Sequence, residues 1–396
     1  MAQQDPCPEH FFDQLEQSQR QGGVPELLGC LVRLLREAGR YHELFEALKM
    51  RLRHRLGLPL IYHDRGDNLT ENDRQQLEDG LLAACREVGT LMFAEGQIRQ
   101  GWVYWRPTGD RSGARALMES LPIDEDRVDE WIEVYFYEGL DVRAGYQLML
   151  RHYGTCNSIT AADSQIMGMD KADRAAVATL LTRHVYGELV GNVAHHIEQQ
   201  EGAAPATPYT LVDLLGERDW LFADDNYHLD TSHLSSTVRL ARLAQDEATW
   251  RMAEELSEYG GRLSAQLQYP DDEPFVETYR SHRFYFRALL NRDRTEALRY
   301  FQERADAVDG YTQGTSAAEY FVELLARCGD YDRAMTELLG RIPPGSHTQN
   351  IAPSVWELSV ARGNFREMSQ RSRQQGDALG YTLARALESE VANTDL

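Results

Sequence analysis

Alternation of apolar and polar residues bounded by hairpin turns is nearly absent from this chain. What runs through it instead is the three-and-four spacing of amphipathic helices. That pattern predicts an all-α protein. Its interruptions, rich in Gly, Pro and small polar residues, fall at 63–73, 107–113, 202–208, 269–274 and 343–353. The most informative helical stretch is Lys171 to Gln199. Laid out at about 100° per residue, it places Val177, Leu181, His184, Glu188, Asn192 and His195 within an arc of roughly 80°. An apolar arc of this kind ordinarily faces the core. The pattern therefore predicts that three ionisable groups and an amide are carried inward, where each needs a partner, a metal or a shifted pKa. Gly187 and Gly191 flank the arc and weaken the helix, which predicts a close approach by another helix or a ligand.

Internal repetition organises the rest. Leu325-Ala-Arg-Cys-Gly329-Asp-Tyr331-Asp-Arg-Ala334 is followed by Ser359-Val-Ala-Arg-Gly363-Asn-Phe365-Arg-Glu-Met368, so a glycine and an aromatic recur 34 residues apart. The physical content is a helix, a turn whose Gly takes positive φ, and a second helix begun by an aromatic that packs back on the first. The same punctuation occurs at Gly39/Tyr41, with closure at Gly57-Leu-Pro59. It recurs at Gly96 before Trp102 and Trp105, and at Gly139 before Ala144 and Leu148. Ala297 with Phe301, and the stretch around Trp250, are glycine-poor versions.

Over most of its length the chain thus resembles the tetratricopeptide-like (TPR-like) helical repeat superfamily. The match is clear at Gly329/Tyr331/Ala334 and looser where the spacing becomes 57 and 43 residues. The resemblance implies a right-handed superhelix of stacked antiparallel helix hairpins, an α-solenoid, because one hairpin cannot bury its apolar side alone. It also implies binding of a peptide or protein on the concave face. Three parts are expected: N-terminal repeats over 1–153, a central helical insertion over 154–229, and C-terminal repeats over 230–396.

The charge balance, 41 Lys and Arg against 63 Asp and Glu for a net −22, disfavours nucleic acid as a partner. The basic run Lys49–Arg55 is short and reads as a solvated helix face. Residues 1–8 lack an apolar signal core, and no apolar run approaches the roughly 20 residues that cross a bilayer, so the expectation is a cytoplasmic protein without membrane contact. Five scattered cysteines without a CxxC pair predict neither a disulfide framework nor a cysteine zinc site. Cys156, in Gly154-Thr-Cys-Asn-Ser158, is the one in a loop-like context.

Candidate chemistry concentrates in the middle third. His184 and Glu188 stand four apart, with His195 further along the same arc. The second cluster, His228, Asp230 and His233, directly precedes a helical pattern through Val238 and Leu243. Asp230, Thr231 or Ser232 is expected to cap that helix, with His233 in its first turn. Imidazole and carboxylate are the usual ligand set for zinc, iron or manganese, and i,i+4 spacing lets two side chains reach one ion. Such a divalent metal would make the protein a metal-dependent enzyme of hydrolase or lyase type, with Glu188 or Asp230 as the base. The positive end of the following helix instead suits an anion at His233. A polar network that merely joins helices is the third reading. Tyr186, Tyr209, Trp220 and Tyr227 in the same region read as core. Ile61-Tyr-His63-Asp-Arg65 and His152 are weaker candidates, with Asp163 or Ser164 as caps of the next helix. Signatures of nucleotide hydrolysis, serine hydrolysis and dinucleotide binding are absent. Two functions remain: a helical-repeat protein binding a peptide, a protein or a small-molecule ligand, and the metal-dependent enzyme.

Overall fold

Helix-capping chemistry is written into most of the breaks. Thr70, Asp110, Asp170, Asp246 and Asp330 each accept a hydrogen bond from the backbone three residues on, while Thr210 and Ser354 form full capping boxes. The computed structural model describes residues 7–61, 69–308, 314–342 and 348–394, and among these it is all-helical with no strand. The candidate at Ile61 to Arg65 lies, from Tyr62 onward, outside the described residues.

The chain divides into two units, Met1–His152 and Tyr153–Leu396. The first contains α1 (Glu9–Glu37), α2 (Tyr41–Arg55), α3 (Glu71–Ala94), α4 (Ile98–Trp105), α5 (Arg111–Glu119), α6 (Val128–Ile132) and α7 (Val142–His152). A π-helical turn over Glu133–Tyr137 extends α6. Val32, Leu44, Val88 and Met92 form the core shared by α1, α2 and α3. The α3–α4 crossing is close because Gly89 faces the Gly101 carbonyl, where a Cβ would stand at 3.0 Å.

The second unit contains α8 (Gly154–Gln165), α9 (Lys171–Glu201), α10 (Leu211–Leu215), α11 (Thr231–Ala241), α12 (Glu247–Gly261), α13 (Thr278–Leu289), α14 (Arg294–Ala307), α15 (Ser316–Arg327), α16 (Tyr331–Arg341), α17 (Val355–Arg362), α18 (Arg366–Gln375) and α19 (Ala378–Thr394). One apolar core runs from Leu189 on α9 to Leu358 on α17. Consecutive helices from α11 to α19 are mainly neighbours of one another, whereas α9 touches α8, α10, α11 and α12.

The turns expected from the glycine punctuation are present. Gly39, Gly57, Gly96, Gly139, Gly329 and Gly363 all take φ between 64° and 83°, and each except Gly57 links two successive helical segments. Tyr41 and Phe365 are buried at the start of their second helices, as are Ala297 and Phe301 within α14. Tyr331 differs: its ring is 37% exposed, and Ala334, one turn on, makes the inward contact instead. The segment Gly154 to Ser158 is also not a loop. It forms the first turn of α8, so Cys156 is an exposed helical residue. The cap of α9 is Asp170, because Asp163 and Ser164 lie inside α8. No helix among the described residues is long and apolar enough to cross a membrane.

Candidate functional site

The inward face of α9 is not a fixed arc. Its fully buried Val, Leu and Ile side chains, Val177, Leu181, Val185, Leu189, Val193 and Ile197, follow an i,i+4 row. Each step of four residues turns that row by about 40°, so over the whole run it rotates by roughly 200°. Val177 and Leu181 are buried as expected, but His184 is only half-buried, and Glu188, Asn192 and His195 lie at the surface. The expectation that these groups are carried into the core is therefore corrected. The row leaves the polar arc behind because α9 meets different helices along its length.

The two glycines do not mark a close approach either. A Cβ on Gly187 or Gly191 would meet nothing within 4 Å. Gly187→Ala and Gly191→Ala are accordingly expected to stabilise the protein by roughly 0.5–1 kcal/mol each, through helix propensity alone. A rise in the urea midpoint at unchanged slope is the check, and a fall would reveal a contact at that surface.

Three separated segments meet beside this face. Tyr153 to Cys156 at the start of α8, Glu188 and Asn192 on α9, and Tyr227 to His233 around the start of α11 line an open pocket of about 570 Å³. Local hydrogen bonds set each wall. Asp230 caps α11, accepting from the N–H groups of Ser232 (2.8 Å) and His233 (3.3 Å) and from the Ser232 hydroxyl (2.6 Å). The Ser232 hydroxyl first, and then these two N–H groups, hold the Asp230 carboxyl below its usual range. Thr155 Oγ1 donates to Glu188 Oε2 at 3.1 Å and lies 3.0 Å from His184 Nε2, which donates in turn. His184 thus stands at the pocket's edge, 3.5 Å from Glu188. Asn192 Nδ2 donates to the His228 carbonyl at 2.8 Å and joins α9 to the segment before α11.

Behind His228 lies a hydrogen-bonded chain. The Tyr259 hydroxyl accepts from the His228 backbone N–H at 2.9 Å, so its own proton is directed at His228 Nδ1, 3.0 Å away. This leaves His228 Nε2 as donor to His196 Nδ1 at 2.8 Å, the tautomers following from the partners. Burial, and then the neighbouring His196, hold the His228 imidazole down at about 4. Burial pushes the Tyr259 phenol well above its ordinary value, which keeps it a donor. Both ring nitrogens of His228 are engaged, and the ring serves as a wall and a strut.

Of the six expected residues, Glu188, His228, Asp230 and His233 share the pocket, and His184 borders it. His195 does not: it is exposed and bonds Gln199 at 2.8 Å. His196, Thr155 and Tyr259 are the participants that periodicity missed. The aliphatic row Leu181, Val185, Leu189, Val193 and Ile197 was the signal that places His196, rather than His195, on the inward side. Tyr186, Tyr209 and Trp220 pack against the core as expected, and Tyr227 is instead 52% exposed at the pocket. No group of three or more His, Cys, Asp or Glu side chains among the described residues is arranged to hold a metal ion. No family model, curated protein or solved structure matches the chain.

Proposed function

We propose that this is a helical-repeat binding protein of TPR-like type, its hairpins stacked as a solenoid, and that the pocket beside α9 holds a peptide segment of a partner protein. The convergence of three chain segments on one open pocket, with their polar groups already tied to one another, carries the reading. Side chains fixed in advance lose little freedom on binding. Openness to water suits a peptide laid across the surface better than chemistry that needs water excluded. The net charge of −22, with Glu188 on the pocket wall, favours a partner rich in Lys and Arg. The zinc, iron or manganese alternative draws no support from the ligands that meet here, since His228 spends both nitrogens on protein partners.

A peptide array of matched basic, neutral and acidic sequences tests this. The expected result is selection of basic peptides, weakening as salt rises. Asn192→Trp, which fills the pocket from an exposed helical position, is expected to weaken that binding by about tenfold or more. Tyr227→Ala, a second exposed lining position, removes contact area without adding bulk. Equal binding by the wild type and both variants, or no preference for basic sequences, would sink the reading.

A further inference from the structure

The helices α17, α18 and α19 share a small core of their own, in which Phe365, Met368 and Ala384 are buried and Val355 and Leu387 pack against them. α19 meets it along one side only, and α18 is the one described helix that it packs against extensively. Its outer side carries Leu379, 85% exposed, and Leu383, 46% exposed, followed by the exposed Ala386 and Glu390. These four recur at steps of four, three and four, the spacing of a seam between two helices. In a stack of helical hairpins an uncovered end helix ordinarily turns a polar face outward. Leu379 and Leu383 break that rule.

Charge around the seam says what covers it. From Val355 to Thr394 the chain has five arginines against five acidic residues, so the net −22 lies wholly outside this segment. Two copies of so acidic a chain repel each other over most of their surfaces, and this neutral segment escapes that penalty. Arg362 and Arg385 are paired with Glu367 and Glu388, whereas Arg371 and Arg373, in the last turns of α18 just before α19 begins, form no ion pair among the described residues. Glu390 stands at the opposite end of the seam, about three turns from Leu379. We propose that α19 pairs with α19 of a second copy of this chain, antiparallel about a two-fold axis between Leu383 and Ala386. Leu383 of each copy then packs on Ala386 of the other, and Leu379 lies over the aliphatic stem of Glu390, whose carboxylate reaches the arginines at the end of the other copy's α18. A parallel pair would instead set Glu390 against Glu390 and leave those arginines unanswered. Two helices of 17 residues make a small interface, so the dimer is weak, with a Kd on the order of 10 µM.

Sedimentation velocity of the full chain, over about 1 to 500 µM, tests the proposal. A reversible equilibrium between monomer and dimer is expected. Leu379→Glu is expected to weaken the dimer by about tenfold or more. Its melting temperature in dilute solution stays that of the wild type, because this side chain is almost wholly exposed in the single chain, and so a loss of pairing is kept distinct from a loss of folding. Arg373→Glu and Glu390→Arg are each expected to weaken the dimer by about threefold, and the two together in one chain to restore it. A monomer at every concentration, a dimer unchanged by Leu379→Glu, or a double variant no tighter than the single ones overturns the proposal, and the first of these leaves the seam to a different partner.

Discussion

Arg327→Met is expected to lower stability by about 3 kcal/mol. The guanidinium is 15% exposed and reaches from α15 to the connection between α11 and α12. It donates there to the carbonyls of Arg242 and Ala244, to the Tyr285 hydroxyl on α13 at 2.9 Å, and within α15 to Glu323 at 3.3 Å. Methionine keeps most of the apolar stem but removes every donor. Glu323 is then left half-buried with only Tyr285 donating at 2.7 Å, and the Arg242 carbonyl loses its arginine. An unpaired charge of this kind costs more than the pair contributed, which is why the effect exceeds that of an ordinary hydrogen bond. Arg299→Met is the comparison, since that side chain is 68% exposed and its contact with Glu303 is 4.0 Å long. It is expected to change stability by less than about 0.5 kcal/mol. Denaturant midpoints measure both, and similar losses for the two would show that Arg327 is not the staple its contacts describe.

The second large effect is loss of stability in acid. The His228 imidazole titrates at about 4 in the folded protein against 6.5 for the free group. Between those values the unfolded chain takes up the proton and the folded one resists it. Stability is therefore unaffected above pH 6.5, falls as pH drops toward 4, and loses nothing further from this residue below that. Part of the ring is in contact with solvent, so a loss on the order of 2 kcal/mol is expected rather than the full linkage value. His282 acts in the same direction. It is fully buried against Phe275, with Nδ1 donating to the Thr278 carbonyl at 2.6 Å, and burial, then Arg242, hold it well below its usual value. His228→Gln is expected to flatten part of the curve between pH 6.5 and 4 and to leave the His282 share. Urea midpoints at intervals across that range check this, and an unchanged slope in His228→Gln would refute the assignment.

Local chemistry was the most legible part of the sequence. A turn glycine such as Gly363 and a cap such as Asp230 act through their immediate neighbours, and both stand where short-range spacing puts them. The meeting of Glu188 with Asp230 and His233 at one pocket was not legible: periodicity set the two clusters on separate segments and turned Glu188 toward the core, whereas their common pocket depends on how α9 packs beside the start of α11. Nor was the choice between His195 and His196. It depends on which neighbours α9 meets at each level, and a single helical wheel holds that direction constant. Cys156 was misread for a related reason. Gly154 resembles loop punctuation, yet it takes φ 75° as the first residue of α8.

The rotating buried row of α9 also makes its residue count a structural constant. One residue inserted between Leu181 and Glu188 would turn everything beyond it by about 100°, swinging His196 off His228 while Val177 stayed seated. The helix works as a camshaft whose lobes are timed to successive neighbours, and substitutions along it are far safer than insertions or deletions.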